Sequence, residues 1–438
     1  MMYDVRKLHK NRTSYIIHHT PYTNLLPIAQ MIQTFPEQTD ICIIGAGPSG
    51  ATTSMFLCKM GIPHLIVEKD TFPRDKICGD GLDLKVMRVL NHFDPNSAYE
   101  LLQHTEEYGQ SWGMRFVSSD GFIKDMVYEP KDGQVNFPMF CTAKRLHFDS
   151  FLVNKIDKNI ANLQQGAEVK NIERVEGGLD LTIHQNGTIY KVFTKMVVGA
   201  DGDHSVVLRK LDERKIDRRH YAAGLRQYYR GIEGMHPKGL LEVYFPKSMP
   251  LSYFWIFPLP NGEANVGYGM TSSMVSKKKI NLKEKMAEII QNDPVMASRF
   301  KNATALEKPQ GWGLPLASKR KQNFGDNYLL AGDAGSLICP TTGEGIGTGM
   351  LSGYIAAHYI QRALKNNDFS AESFNTFHRE SYKRLSQDIM AYNFILNSFP
   401  QYWVVPFVNF LLKRSGNTLK DMPKWLDTAF NKEIEINM

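Results

Sequence analysis

The stretch "TDICIIGAGPSGATTSMFLCKMGIPHLIVEKD", Thr39 to Asp70, decides how the rest of the chain is read. Ile41–Ile44 is an apolar run of strand length, and Ser49–Met60 carries the small and apolar residues of a buried helix. Gly61 stops that helix, and His64–Val67 supplies a second strand. Between the first strand and the helix stand Gly45, Gly47 and Gly50 in G-x-G-x-x-G spacing, and Glu68 follows Gly50 by 18 residues. Gly45 permits a tight turn, Gly47 lets backbone approach a pyrophosphate, and Gly50 lets helix and strand pack closely. Pro48 and Ser49 open a helix whose N-terminus offers N–H donors and positive potential. Glu68 can accept hydrogen bonds from ribose hydroxyls, with Lys69 beside it at the strand end. Strand, helix, second strand and terminal acid together specify a dinucleotide site, where glycines alone would specify only a turn. A Glu at the strand end also argues against a 2′-phosphate in the pocket.

Two later segments repeat the pattern of a strand running into a polar turn. "KMVVGADGDHSVVLRK" (Lys195 to Lys210) brings Asp201 and Gly202, and "NYLLAGDAGSLICPTTGEGIGTGMLSG" (Asn327 to Gly353) brings Asp333 and then a Gly-rich loop that opens a helix at Gly345-Ile346. An NAD dehydrogenase would need no further nucleotide-contacting motif. A helix N-terminus at Gly343–Gly347 can offer uncovered N–H groups to negative charge developing on a ring. Glu344 brings an opposing charge there, and the sequence leaves open whether it points away or caps the helix.

Composition narrows the classes. The 438 residues, 42% hydrophobic and 22% charged, suit a globular chain of two or three domains. The net charge of +7 is spread without a dense basic run, so nucleic acid is not expected, whereas an anionic cofactor or membrane surface is compatible. The five cysteines, at 42, 58, 78, 141 and 339, form no C-x-x-C. Neither a metal site nor a disulfide framework is indicated, and a reducing cytoplasm is the expected location. No apolar run reaches the ~18–20 residues of a membrane span. Residues 1–30 lack a continuous apolar signal core and read as a poorly ordered extension, a start placed upstream of Met31, or a docked segment.

The three motifs in this order, from about Thr39 to Gly353, resemble the group-A FAD oxidoreductases with the para-hydroxybenzoate hydroxylase fold. The resemblance implies that FAD is the dinucleotide. It puts Asp333 at the ribityl chain, Asp201-Gly202 beside pyrophosphate and flavin, and Arg145 of "TAKRLHFDSFL" near the FAD phosphates. A solvated charge on a helix face is the competing reading for Arg145.

Within that fold, "PLSYFWIFPLPNG" (Pro250 to Gly262) resembles the PxxYxWxFP signature of the geranylgeranyl reductase family. "FPRDKICGDGL" (Phe72 to Leu82) matches the family's Lys-x-Cys-Gly at Lys76–Gly79. Tyr253, Trp255 and Phe257 alternate along a predicted strand and so share one face. That face is either a β-sheet core or the stiff wall of an apolar pocket, and the resemblance favours the wall. A prenyl chain has no charged handle at its reacting bond, so shape and apolar contact must position it. The resemblance therefore implies an FAD-dependent reductase of isoprenoid C=C bonds, with Cys78, Tyr253 and Trp255 lining the pocket. NAD(P)H or a reduced carrier protein would recharge the flavin by transient docking, since no second G-x-G-x-x-G exists. A flavin monooxygenase or halogenase is the first alternative, although a halogenase would carry Trp-x-Trp-x-Ile-Pro here. An electron-transfer flavoprotein acting on quinone is the second.

Cys78 and Cys339 fall in the two loops that the resemblance brings to the flavin, and a reversible disulfide between them is set against a plain packing role. Cys42 and Cys58 read as packed small hydrophobes. The expected architecture is α/β, a Rossmann-like FAD-binding domain with an interleaved antiparallel-sheet substrate domain and a helical C-terminal region. By residue, 1–37 is an N-terminal extension, 38–105, 141–219 and 311–365 are the FAD-binding parts, 106–140 and 220–310 the substrate domain, and 366–438 the helical region. A helix is expected over 282–300. The apolar Asn393–Arg414, broken by Pro400 and Pro406, is either a helical lid or a segment lying in a membrane interface. The latter would give a cytoplasmic protein peripheral contact at the inner face of the membrane.

Overall fold

The apolar run at Ile41–Ile44 forms the inner end of a strand, Gln38–Ile44, at the middle of the first sheet. This computed structural model describes residues 34–383, except 119, 213–216 and 247–251, and scattered positions beyond 383. Residues 1–33, and Asn393–Arg414 apart from Lys413, lie outside the described residues. Thr188–Gly199 and His64–Glu68 flank the central strand in parallel, and Ala161–Gln165 and Tyr328–Leu330 extend the parallel set on either side. Four consecutive residues of the central strand and all five of His64–Glu68 are buried, which a strand covered on both faces requires. Alternate side chains serve two cores. Ile41, Ile43 and Ile66 pack with the helices, while Cys42, Ile44, Leu65 and Val67 pack with an antiparallel excursion, Ala167–Val175 and Gly178–Gln185.

The helix after the Gly-rich turn spans Pro48–Lys59, and Gly61 leaves it with a φ of +69°. It packs against the 21-residue helix Ile346–Asn366 that opens after the third motif. Small residues set their separation. A Cβ on Gly353 would overlap the Ser49 carbonyl oxygen, and one on Gly332 or Gly349 would crowd the Ser49 hydroxyl. The Thr53 hydroxyl donates to the Ser49 carbonyl and lies 3.2 Å from the Gly353 carbonyl.

The second sheet is largely antiparallel. Tyr221–Arg230, Glu263–Thr271, Ser252–Pro258 and Leu241–Tyr244 run in that spatial order, followed by Gly113–Val117 and Ile123–Val127. Two details differ from the expectation of an antiparallel sheet in the substrate domain. Leu241–Tyr244 and Gly113–Val117 pair in parallel, and Tyr108–Ser111 joins Gly81–Leu82 and Phe140–Ala143 in a small third sheet. Gln310–Pro315 also pairs with Tyr221–Arg230, so the second sheet runs past residue 310. Phe254 and Ile256 lie in an apolar core with Tyr268, Met286, Ile289 and Phe300. The covering helix is Leu282–Asn292, shorter than the expected 282–300. It stops at Asp293 because the following Pro294 disfavours helical backbone before it, and Asp293 is extended, with ψ of 125°.

Candidate active site

The nucleotide cradle is built from backbone. Gly45 sits at φ of +96°, and a Cβ there would collide with the Ala200 carbonyl. A Cβ on Gly50 would overlap the Gly45 carbonyl oxygen. Gly47 is open by comparison, its nearest neighbour being Arg74 Nη2 at 3.7 Å from a would-be Cβ. The helix it opens has Pro48 in its first turn, no side-chain cap and no acidic residue there, so its donors and positive end are uncovered. Glu68 is buried, and its carboxylate accepts from Ala46 N at 2.7 Å and Asp70 N at 3.0 Å, which fixes it at the strand end. Lys69 is exposed.

The other two turns close around this cradle. Asp201 Oδ2 accepts from Val206 N at 2.6 Å, whereas Oδ1 is buried and unpartnered. Burial pushes the Asp201 carboxyl up, against hydrogen bonds from Ser205 and Val206. Gly202, at φ of +78°, faces Lys76, whose ammonium pairs with Asp333 at 3.2 Å. Gly345 caps the long helix, and a Cβ on it would stand 3.5 Å from Asp333 Oδ1. Glu344 resolves the alternative left open above, because its Oε1 accepts from the Gly347 and Thr348 amides and so caps the helix. The first-turn amides at Gly345 and Ile346 are not taken by this carboxylate. Lys85 pairs with Glu344 at 3.3 Å and with Asp83 at 2.7 Å. Burial and Asp83 push Glu344 up, and Lys85 pulls it back.

Arg145 does not stand on a solvated helix face. It is buried, with Nε and Nη2 each 2.6 Å from Asp149. Asp149 also holds Arg74 at 2.6 Å, and Arg74 is the arginine that borders Gly47. The i, i+4 spacing of Arg145 and Asp149 was the available signal for this pair.

The aromatic face turns toward these loops. Tyr253, Trp255 and Phe257 stand in a row, with ring centroids 5.7 and 6.3 Å apart. The Tyr253 hydroxyl donates to the Thr342 carbonyl at 2.8 Å, and burial pushes that phenol up to about 12. Trp255 lies over a floor of glycines. A Cβ on Gly267 would overlap its indole, and ones on Gly224 and Gly269 would touch it at 3.9 and 3.6 Å. Phe257 packs against Gly79 and Gly81, on either side of Asp80. None of the three belongs to the apolar core that holds Phe254 and Ile256.

Cys78 lies in that same loop, where its sulfur accepts from Asp80 N at 3.4 Å. Burial raises its thiol and Arg145 lowers it. Cys339 is buried with Leu337, Tyr382 and Leu385, its sulfur 3.1 Å from the Thr341 hydroxyl. Both cysteines are free thiols, as are Cys42, Cys58 and Cys141.

Asp80 was not singled out by the sequence. It is fully buried at φ of +63°, and Oδ2 accepts from the Tyr228 hydroxyl at 2.7 Å and Asn265 Nδ2 at 2.8 Å. Asn265 also donates to the Cys78 carbonyl and accepts from Trp255 Nε1 at 2.9 Å. This network joins residues far apart in sequence, although all but Tyr228 stand inside or beside the quoted motifs.

The residues present fit a flavin dinucleotide: a glycine cradle open at Gly47, an uncapped helix end with Arg74 beside it, a strand-end Glu68 and an unpartnered Asp201 oxygen. Residues 38–387 match the family model described as the FAD binding domain. The digeranylgeranylglycerophospholipid reductase of Methanococcus vannielii is 26% identical over 363 residues, covering 82% of this chain and 87% of that protein. The menaquinone reductase of Mycobacterium tuberculosis is 27% identical over 342 residues, covering 74% and 77%. The crystal structure of a geranylgeranyl bacteriochlorophyll reductase-like protein from Thermoplasma acidophilum superposes with a TM-score of 0.73 at 21% identity, covering 90% of this chain and 97% of that one.

Proposed function

The chain belongs to the FAD-binding domain family, and from that premise we propose that it is a reductase that saturates C=C bonds of an isoprenoid chain carried on a lipid or a quinone. The observation that carries this reading is the aromatic row at Tyr253, Trp255 and Phe257, turned out of the sheet core toward the Cys78 loop and the loop before Gly345. Bound FAD, once reduced, supplies a hydride to one carbon of the double bond. The protein's task is to hold an apolar chain still, exclude water and provide a proton. Stiff rings do the first at small conformational cost. The glycines under Trp255 let the indole lie close against the sheet. Arg74 and the uncapped end of Pro48–Lys59 would take the pyrophosphate, Glu68 a ribose, and the turn at Asp333 the ribityl chain. NAD(P)H or a reduced carrier protein is the reductant in this reading. Contact with the membrane surface would bring the lipid; among the described residues no helix is long and apolar enough to cross a membrane.

The test is anaerobic. The purified flavoprotein is reduced with dithionite and mixed with geranylgeranyl diphosphate or a polyprenyl lipid. Flavin reoxidation is then followed together with the mass of the lipid. A gain of two hydrogens per turnover is expected. Flavin that stays reduced until oxygen or quinone arrives would sink the reading in favour of a monooxygenase or an electron-transfer protein.

A further inference from the structure

Saturating a double bond takes a hydride on one carbon and a proton on the other, and a pocket that excludes water must keep its own proton. On the proposed reading of the site, we infer that Asp80 is that proton's source, held on Oδ1 of a neutral carboxyl behind the aromatic wall. Three observations carry this. Asp80 is fully buried, yet among the described residues no salt bridge to it forms: Arg226, whose field reaches it, is committed to Asp75 at 2.5 Å and to Glu307. Its two oxygens are unequal, since Oδ2 accepts two hydrogen bonds and Oδ1, equally enclosed, makes none. A proton therefore belongs on Oδ1, the oxygen free of donors. Finally, its neighbours Gly79 and Gly81 border the Phe257 ring, and Asn265 links its carboxyl to the Trp255 indole, so the acid lies against the aromatic row.

The surrounding charges agree with a neutral acid near physiological pH. Burial raises the Asp80 carboxyl to about 7 against the hydrogen bonds of Tyr228 and Asn265 and the field of Arg226, with Asp75 adding to the rise. Cys78 and Lys76 belong to the same loop, while Arg145 approaches Cys78 from outside it and Lys144 lies over the Tyr228 ring. In the reaction the Oδ1–H bond breaks and a C–H bond forms on the carbon that did not receive hydride. The carboxylate left behind regains its proton from water admitted once the saturated product has left. Both electrons travel with the hydride from reduced flavin, which the external reductant recharges.

Asp80→Asn tests this with little disturbance, because an amide oxygen can still accept from Tyr228 and Asn265 while the titrating proton is gone. In anaerobic single turnovers of reduced holoenzyme with a polyprenyl lipid, the wild-type rate should fall about tenfold per pH unit above the midpoint, as an acid is lost. D80N should be about 100-fold slower at pH 6 and lose that slope, with an unchanged flavin spectrum and unchanged reduction by dithionite. Tyr228→Phe removes a hydrogen bond that favours the carboxylate, so its falling limb should move to higher pH. Wild-type rate and pH profile in D80N would overturn the assignment, as would an unmoved limb in Y228F should D80N fail to fold. A wild-type enzyme inert toward every prenyl lipid would overturn the reductase reading and this inference with it. The difference infrared spectrum of wild type against D80N, which needs no substrate, reports separately whether a protonated carboxyl is present at pH 6.

Discussion

A Cβ on Gly50 would overlap the Gly45 carbonyl, and one on Gly45 would strike Ala200, so the nucleotide cradle takes its shape from side chains that are missing. Around Asp80 the reverse holds. Tyr228, Trp255 and Asn265 come from three separate strands and hold the loop through a side-chain network, with Asn265 also donating to the Cys78 carbonyl. A cradle made by close backbone approach tolerates almost no addition, and it leans on few side chains, Glu68 and Ser49 among them. A network made of side chains tolerates small changes of shape but suffers when one donor is lost. Substitutions in the cradle should therefore change how much FAD the protein holds, and substitutions in the pocket should change turnover by protein that is fully loaded.

Gly50→Val is the harshest trial of this contrast. Overpacking of this kind costs about 1–3 kcal/mol or more, and here it falls between the strand turn and the helix. Purified G50V is expected to carry almost no flavin by its visible absorbance per protein, and full loading would break the comparison. Glu68→Ala should be milder. It removes a carboxylate that orders Ala46 and Asp70 and is available to a ribose, and hydrogen bonds to a charged group are worth about 1.5–3 kcal/mol. FAD titrated into apoprotein, followed by flavin fluorescence, should bind roughly 10- to 100-fold more weakly. On the pocket side, Trp255→Phe leaves the buried Asn265 Oδ1 without its donor. The expected loss is about 1–3 kcal/mol in denaturant unfolding, with FAD content unchanged and prenyl turnover lowered. Reduced FAD content in W255F would erase the boundary between the two regions. The smallest effect belongs to Lys69→Ala. Its side chain is exposed, so FAD affinity should change by less than about 0.5 kcal/mol, and a larger loss would give Lys69 a contact with the cofactor.

This contrast also explains what the sequence disclosed. Gly45, Gly47, Gly50 and Glu68 could be read because their tasks are local and sterically forced within one βαβ unit. The alternation of Tyr253, Trp255 and Phe257 gave their shared face by period alone, but not what that face looks at. Asp80 and Asn265 stood inside or beside quoted motifs and went unread, since their meaning lies in partners 148 and 185 residues away. Arg145 has its partner Asp149 one helical turn along, so that ion pair was open to the i, i+4 rule. The end of the helix at Asp293 was readable from Pro294 alone.

Ser49 has a consequence for how the protein comes apart. Its hydroxyl and carbonyl fill the space that Gly332, Gly349 and Gly353 leave free, so one serine is the pivot on which the first helix, the Asp333 turn and the long helix rest. Three cofactor-contacting segments that share a pivot cannot loosen one at a time. Release of FAD and melting of the first sheet should then coincide in a single cooperative transition, with added FAD raising its midpoint by mass action.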